Sequence, residues 1–176
     1  FARHADALDA FQAAERVRPG HAEATIQCGN ALRRLKRLAQ ALRKYKEAEA
    51  MPGASSWERA EALYWIGSVR ELQGKKTKAE AAYRQALKRE PEHARALNNL
   101  GSMLMARTDP GARALYERAT RADPHMFEAY NNLGGLLLVD KDPHAALPLL
   151  EYAYGLDQSE PQLVFNLGLA RRQAAR

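Results

Sequence analysis

The chain has 176 residues, of which 46% are hydrophobic and 27% are charged, and these proportions are typical of a folded globular protein rather than a disordered one. Its net charge of +6 is unevenly spread, because residues 21–56 carry seven Lys/Arg against three Glu and residues 127–160 carry one Lys against six Asp/Glu. The sequence contains no run of 18 apolar residues, so we expect no membrane span. The single cysteine, Cys28, cannot form an internal disulfide.

The sequence starts at Phe1 rather than Met, and its first 17 residues have the spacing of an amphipathic helix rather than of a signal peptide. We therefore expect a trimmed piece of a longer protein. The compartment stays open, with the cytoplasm favoured.

A repeat of about 34 residues runs through the chain and sets the predicted elements. Five glycines, each preceded by an apolar residue or Cys, are separated by 38, 34, 33 and 34 residues: Gly29, Gly67, Gly101, Gly134 and Gly168. Five alanines are separated by 34, 38, 33 and 34 residues: Ala7, Ala41, Ala79, Ala112 and Ala146. Four residues after each alanine stands a large apolar side chain: Phe11, Tyr45, Tyr83, Tyr116 and Leu150.

Each repeat is predicted to form two closely packed helices. Leu97, Gly101 and Leu104 lie on one stripe of a first helix, and Tyr116 lies on the matching stripe of a second. Glycine inside a helix costs about 1 kcal/mol relative to alanine, so its recurrence needs a packing reason. We expect the large side chain of the second helix to fill the hollow over the glycine of the first.

This pattern resembles the tetratricopeptide repeat, whose signature is W-x2-L-G-x2-Y…A-x3-F…P. The segment from Leu97 to Pro124 matches it well, whereas Arg70 stands where an aromatic is expected and Gln158 replaces a closing proline. The resemblance implies an all-α fold, an α-solenoid or right-handed superhelix of antiparallel helix pairs. In chain order we expect a single array over 1–176, made of a half-repeat 1–21, full repeats 22–54, 55–93, 94–126 and 127–160, and a half-repeat 161–176.

Two local features refine this order. Ser55 and Glu58 are spaced as a capping box at the start of a first helix. The half-repeats at both ends leave apolar faces uncovered, which makes self-association through the terminal repeats an open alternative.

The residues indicate no catalytic centre, no metal site and no cofactor. His21, His93 and His125 fall in turns between repeats, a repeat length apart, and are interpreted as solvated turn residues, as are His4 and His144. Cys28 holds a core position that other repeats fill with aliphatic residues, and no nucleophile or phosphate-loop motif is present. We therefore predict a binding protein rather than an enzyme.

A basic run at 33–46 has seven Lys/Arg and is interpreted first as a solvated face. Its functional alternatives are contact with an acidic peptide, a membrane surface or RNA. Nucleic acid is disfavoured because the run lacks interleaved aromatic residues of the kind that stack on bases.

The strongest functional signal is a row of polar residues on the first helices. In the resembled family the first helices line a concave groove, and the amides here resemble the asparagine ladder in the repeat domain of O-GlcNAc transferase. An amide side chain offers donors and an acceptor, so a column of amides can bond the backbone of an extended peptide. Tyr64 and Trp65 are expected to be exposed in the groove as interface anchors. The predicted partner-binding residues are Gln27, Asn30, Tyr64, Trp65, Asn98, Asn99, Ser102, Asn131, Asn132 and Asn166.

The sequence thus predicts a module that binds a protein or peptide partner in its groove. Two alternatives remain open: the repeats are the substrate-recruiting arm of a larger transferase, or they form a self-associating scaffold. A receptor for the carboxylate tail of heat-shock chaperones is disfavoured, because the basic residues of that clamp are missing at the corresponding positions.

Overall fold

A computed structural model of the protein describes residues 2–17 and 20–175, and all regular secondary structure in these residues is α-helical. The prediction of an all-α fold of paired antiparallel helices is confirmed. No helix of the described ranges is long and apolar enough to cross a membrane. In chain order the helices are α1 (Ala2–Val17), α2 (Ala22–Arg34), α3 (Leu38–Ala50), α4 (Ser56–Leu72), α5 (Lys76–Arg89), α6 (Ala94–Met105), α7 (Gly111–Ala122), α8 (Phe127–Val139), α9 (Pro143–Leu156) and α10 (Pro161–Ala174).

The helices form two compact units. In the unit Phe1–His93, α1 packs on α2, α2 pairs with α3, and α4 pairs with α5. In the unit Ala94–Arg176, α6 pairs with α7, α8 pairs with α9, and α10 packs on α9. Within each unit the pairs stack side by side, as in an α-solenoid. The organisation of residues 1–176 as a single array stays a prediction.

The predicted contact between glycine and a large side chain explains how closely the paired helices approach. A methyl group built on Gly67 would lie 2.5 Å from the ring of Tyr83, and one on Gly101 would lie 2.8 Å from Tyr116. Both tyrosine side chains are fully buried or nearly so. Gly168 on α10 is the exception, since a methyl group there would meet no atom within 4 Å. The recurring glycines on the paired helices therefore serve packing, which offsets their poor helix propensity.

The turn inside each repeat has a fixed form that the glycine and alanine series did not predict. After α2, the N–H of Arg37 bonds the carbonyl of Leu32 and the N–H of Lys36 bonds the carbonyl of Arg33, which is a Schellman motif. The same pair of bonds recurs after α4, α6 and α8. The residue at the left-handed position of these turns is Lys36 (φ 62°), Gly74 (φ 71°), Thr108 (φ 54°) and Lys141 (φ 62°).

Replacing Thr108 with Gly is expected to raise the free energy of unfolding by about 0.5–1 kcal/mol. A β-branched residue is strained at positive φ by about 1–2 kcal/mol, and glycine removes this strain at a smaller cost in chain entropy. Thermal and urea denaturation followed by circular dichroism measure the change. Thr77→Gly, inside α5, is the matched control and is expected to lower stability. A loss of stability in both variants would contradict the strain at Thr108.

The connection between α3 and α4 is held from both sides. Ser55 forms the predicted capping box, since its backbone N–H donates to Oε2 of Glu58 at 2.8 Å and its Oγ accepts from the N–H of Glu58 at 3.2 Å. The Ser55 hydroxyl also donates to Oε2 of Glu58 at 2.8 Å, and the two bonds that the carboxylate accepts from Ser55 lower the pKa of the Glu58 carboxyl. Arg59 donates to the carbonyl oxygens of Glu49 at 2.5 Å and Met51 at 2.6 Å, which lie where α3 ends. The guanidinium thus supplies these carbonyls with the N–H donors that a further helical turn would have supplied.

Candidate functional site

The predicted amides of the second unit form a connected row along the first helices α6, α8 and α10. Nδ2 of Asn132 donates to Oδ1 of Asn98 at 2.8 Å, and Nδ2 of Asn166 donates to Oδ1 of Asn131 at 2.9 Å. The accepting side chains of Asn98 and Asn131 are buried, whereas the donating Asn132 and Asn166 are only partly buried. Each bond therefore joins a buried amide to a more exposed amide one repeat further along the chain.

Other polar residues of this unit lie beside the two hydrogen bonds between repeats. Asn99 is partly buried, and its Oδ1 accepts from Nδ2 of Asn98 at 3.3 Å. Ser102 is exposed and accepts from the Tyr116 hydroxyl at 3.1 Å. Gly135 leaves space for the next helix, because a methyl group there would lie 3.3 Å from Nδ2 of Asn166. Asn98, Asn99, Ser102, Asn131, Asn132 and Asn166 thus lie together in one unit, and we call them the amide row.

In the first unit, the predicted polar residues also bond to neighbours within the protein. Nδ2 of Asn30 donates to Oε1 of Gln27 at 3.2 Å, and the hydroxyl of Tyr45 donates to Oδ1 of Asn30 at 2.8 Å. Burial raises the pKa of the Tyr45 hydroxyl, so it stays protonated and remains a donor. Gln27 in turn donates to Oε1 of Glu23 at 2.5 Å. Gln27 and Asn30 are partly buried.

The expectation that Tyr64 is exposed is wrong. Its side chain is 8% exposed and packs on the ring of Tyr83, with centroids 5.9 Å apart. It is buried because it lies under α5, on a face of α4 that the spacing of the repeat did not assign to the core. Trp65 is partly buried, and its ring stacks on Tyr45 with centroids 6.3 Å apart.

The interpretation of His93 as a solvated turn residue is also wrong. The side chain is 1% exposed, and its Nε2 lies 2.9 Å from Oε2 of Glu61. Its ring stacks on Trp57 at 5.1 Å and lies 5.4 Å from Tyr64. Oε1 of Glu61 accepts from Nε1 of Trp65 at 2.8 Å, so one carboxylate joins the histidine to the indole. The signal for this cluster was a glutamate inside the apolar stretch at 60–64, about one repeat before a histidine.

The other histidines whose side chains the structure describes carry no comparable cluster. His21 caps α2, with its Nδ1 accepting from the N–H of Ala24 at 3.2 Å, and His125 and His144 are exposed. The His4 side chain lies outside the described residues. Among those that the structure describes, no three His, Cys, Asp or Glu side chains are grouped as metal ligands. Cys28 is fully buried, as its core position predicted.

Comparison with known proteins decides the family. The family model described as Tetratricopeptide repeat matches residues 2–56, 73–110 and 110–161, which is most of the chain. The chain belongs to the tetratricopeptide-repeat family. This assignment agrees with the helix pairs and with the contacts between glycine and a large side chain described above. Tetratricopeptide repeats serve as scaffolds that bind proteins or peptides, so the chain has the fold of a protein-interaction module.

One curated relative is the "Probable biofilm formation methyltransferase WspC" of Pseudomonas aeruginosa, 44% identical over 55 residues. The match covers 31% of this chain and 13% of the relative, so the chain spans a small part of that protein's length.

Several solved structures share the fold of this tetratricopeptide-repeat chain. The pilF protein of Pseudomonas aeruginosa is similar with a TM-score of 0.70 and 23% identity, covering 88% of this chain and 73% of that one. The MamA protein has a TM-score of 0.61 and 20% identity, with 89% and 84% covered. YrrB, described as a TPR protein with an unusual peptide-binding site, has a TM-score of 0.60 and 17% identity, with 93% and 83% covered.

Proposed function

We propose that the chain is a non-catalytic interaction module and that the amide row of its second unit binds the backbone of an extended peptide. The observation that carries this proposal is the pair of bonds from Asn132 to Asn98 and from Asn166 to Asn131. These bonds hold the partly exposed amides in fixed positions on neighbouring first helices. A preorganised row of donors and acceptors loses less conformational entropy when a peptide binds.

The hydrogen-bonding capacity left in the row is sufficient for backbone recognition. A primary amide has two N–H donors and an oxygen with two lone pairs. Asn132 uses one N–H on Asn98, which leaves one N–H and its oxygen for a ligand. Asn166 uses one N–H on Asn131 and accepts once from Gln162 at 3.0 Å, which leaves one donor and one acceptor position. Adjacent peptide groups offer the complementary carbonyl and N–H. YrrB, whose fold is similar to that of this chain, is described as having an unusual peptide-binding site, and this is consistent with peptide binding by this chain.

Replacing Asn99, Asn132 and Asn166 together with Ala is expected to weaken peptide binding by about tenfold to a thousandfold. Each lost hydrogen bond is worth about 0.5–1.5 kcal/mol. The probe is a fluorescein-labelled peptide selected from a random phage-displayed library on the parent protein, and anisotropy titration measures its Kd. Recognition of the backbone also predicts that N-methylation of central peptide groups weakens binding more than side-chain truncation does.

Two controls separate binding from folding. The triple variant also loses two helix-to-helix bonds, so its denaturation midpoint is measured and the titration is run well below that temperature. Arg113→Ala with Arg121→Ala, on exposed positions of α7, is the matched surface variant and is expected to bind like the parent. If the folded triple variant binds like the parent, or if the library gives no binding peptide, the amide row is not a peptide site.

A second candidate function rests on the match to the methyltransferase of Pseudomonas aeruginosa. In this alternative the repeats are the recruiting arm of a larger transferase. The complete reading frame tests it directly. A methyltransferase domain on the same polypeptide supports the arm, and its absence leaves the chain as an independent module.

A further inference from the structure

The first unit contains a cavity that the amide row does not use. It has a volume of about 530 Å³ and lies between α1, α2 and α4. Phe11 of α1 and Trp65 of α4 supply aromatic surface, and Arg33 and Arg34 of α2 supply positive charge. Gln27 also contributes to the lining. An open cavity that combines aromatic and cationic side chains in this way is suited to a ligand with both apolar and anionic parts.

Arg33 is held in place by Trp65, an aromatic residue that lines the cavity. Its guanidinium carbon lies 4.5 Å from the centre of the Trp65 ring, which is the geometry of a cation–π contact. Trp65 itself is fixed by its stacking on Tyr45 and by its bond to Glu61. The guanidinium plane is therefore positioned before any ligand arrives, and this reduces the entropy lost when a bidentate partner binds.

Neither arginine of this cavity is directly paired with a carboxylate of the described residues. Among the residues that the structure describes, neither Arg33 nor Arg34 forms a salt bridge, and Nε of Arg33 is buried without a hydrogen-bond acceptor. The nearby carboxylates are engaged elsewhere, because Glu23 accepts from Gln27 and Glu61 joins Trp65 to His93. The Arg33 side chain also bonds to the Tyr45 hydroxyl, which is a neutral acceptor. A carboxylate in the cavity would give the accessible N–H groups of the two arginines a charged acceptor.

We propose that this cavity binds an Asp or Glu side chain of an extended partner segment, with an apolar neighbour of that side chain against Phe11 and Trp65. A carboxylate matches the planar guanidinium, and the excess of positive charge over residues 21–56 attracts an acidic segment. The inference rests on the proposed function only in taking the partner to be a peptide. The cavity belongs to the first unit and the amide row to the second, so separate variants test them.

The test uses the full chain and a short fluorescein-labelled peptide that alternates glutamate with phenylalanine and leucine. Both peptide ends are blocked, so that only side-chain carboxylates are offered. The matched probe replaces every glutamate with glutamine, and an oligouridylate RNA is the third probe. The expected result is that the glutamate peptide binds at least about tenfold more tightly than the glutamine peptide, with an affinity that falls as salt rises.

The variants locate the binding. Arg34→Gln removes an exposed charge without disturbing the core and is expected to weaken the glutamate peptide about tenfold. Arg33→Gln is expected to weaken it at least as much. Lys46→Gln, an equal loss of charge on an exposed position of α3, is expected to change Kd less than about twofold. The Asn99, Asn132 and Asn166 triple variant is expected to keep this binding, which separates the cavity from the amide row.

Three outcomes overturn the proposal. Equal affinity for the glutamate and glutamine peptides shows that no carboxylate is recognised. An equal effect of Lys46→Gln and Arg34→Gln shows attraction to the general charge rather than to the cavity. Binding of the RNA, lost in Arg34→Gln, with no binding of the glutamate peptide assigns the cavity to nucleic acid.

Discussion

Replacing Tyr83 with Ala is expected to lower the free energy of unfolding by about 3–5 kcal/mol, as large aromatic truncations in cores do. The Tyr83 side chain is fully buried, and its ring occupies the hollow that Gly67 leaves on α4. Its hydroxyl donates to Oε2 of Glu71 at 2.8 Å. The substitution leaves a cavity between α4 and α5 that cannot be filled from either helix, since glycine has no side chain to move. Urea denaturation followed by far-ultraviolet circular dichroism measures the loss.

Tyr83→Phe separates packing from hydrogen bonding. It keeps the ring over Gly67 and removes only the bond to Glu71, so the expected loss is about 0.5–1.5 kcal/mol. If Tyr83→Ala and Tyr83→Phe lower stability equally, the ring does not fill the glycine hollow in the way described.

Replacing Arg59 with Met is expected to lower the free energy of unfolding by about 2–4 kcal/mol. The guanidinium donates to the carbonyl oxygens of Glu49 and Met51 and, through Nε, to that of Ala54 at 3.1 Å. Charge-assisted bonds of this kind contribute about 1.5–3 kcal/mol each, and water that reaches the freed carbonyls offsets part of the loss. Met has a similar length and apolar stem, so the lost bonds dominate the effect.

Arg84→Met is the matched control for this prediction. Arg84 forms an exposed ion pair with Glu80 at 2.9 Å within α5, and its loss is expected to cost less than about 0.5 kcal/mol. Chemical denaturation of both variants gives the comparison. A similar, small cost for Arg59→Met and Arg84→Met would mean that Arg59 does not stabilise the connection between α3 and α4.

The fold could be predicted because its main contact is encoded at fixed spacing. Gly67 and Tyr83 lie in one repeat, and the same pairing recurs in the next repeat as Gly101 with Tyr116. A contact that recurs with the same period appears as a pattern in one sequence, without an alignment. The Schellman turns recur equally regularly, yet their left-handed position holds residues as different as Lys36 and Thr108. A position defined by backbone conformation alone therefore gave no pattern in residue type.

The candidate sites were less predictable because they depend on contacts that occur once. His93 is buried against Glu61, Trp57 and Tyr64, all on α4. No other repeat has this combination, so periodicity could not reveal it. Arg33 and Trp65 are a similar case, because Trp65 comes from the neighbouring repeat and lies outside the basic run at 33–46. The amides of the amide row could be predicted from the sequence, but the bonds between them depend on side-chain orientations that residue type and spacing do not specify.

The bonds of the amide row have a consequence for how the number of repeats can change in evolution. Each link joins two positions that are 34 or 35 residues apart, and in each the later helix donates to the earlier one. One Asn-Asn pair accepts through its first member and donates through its second, as Asn131 and Asn132 do. A duplicated gene segment that encodes such a pair would therefore encode both an acceptor for the following repeat and a donor to the preceding repeat. It would bond to the repeat before it and the repeat after it without further mutation, and a shift of one residue along the helix would break the match. Polar pairing of this kind lets repeat number change in evolution while the alignment of successive helices is conserved.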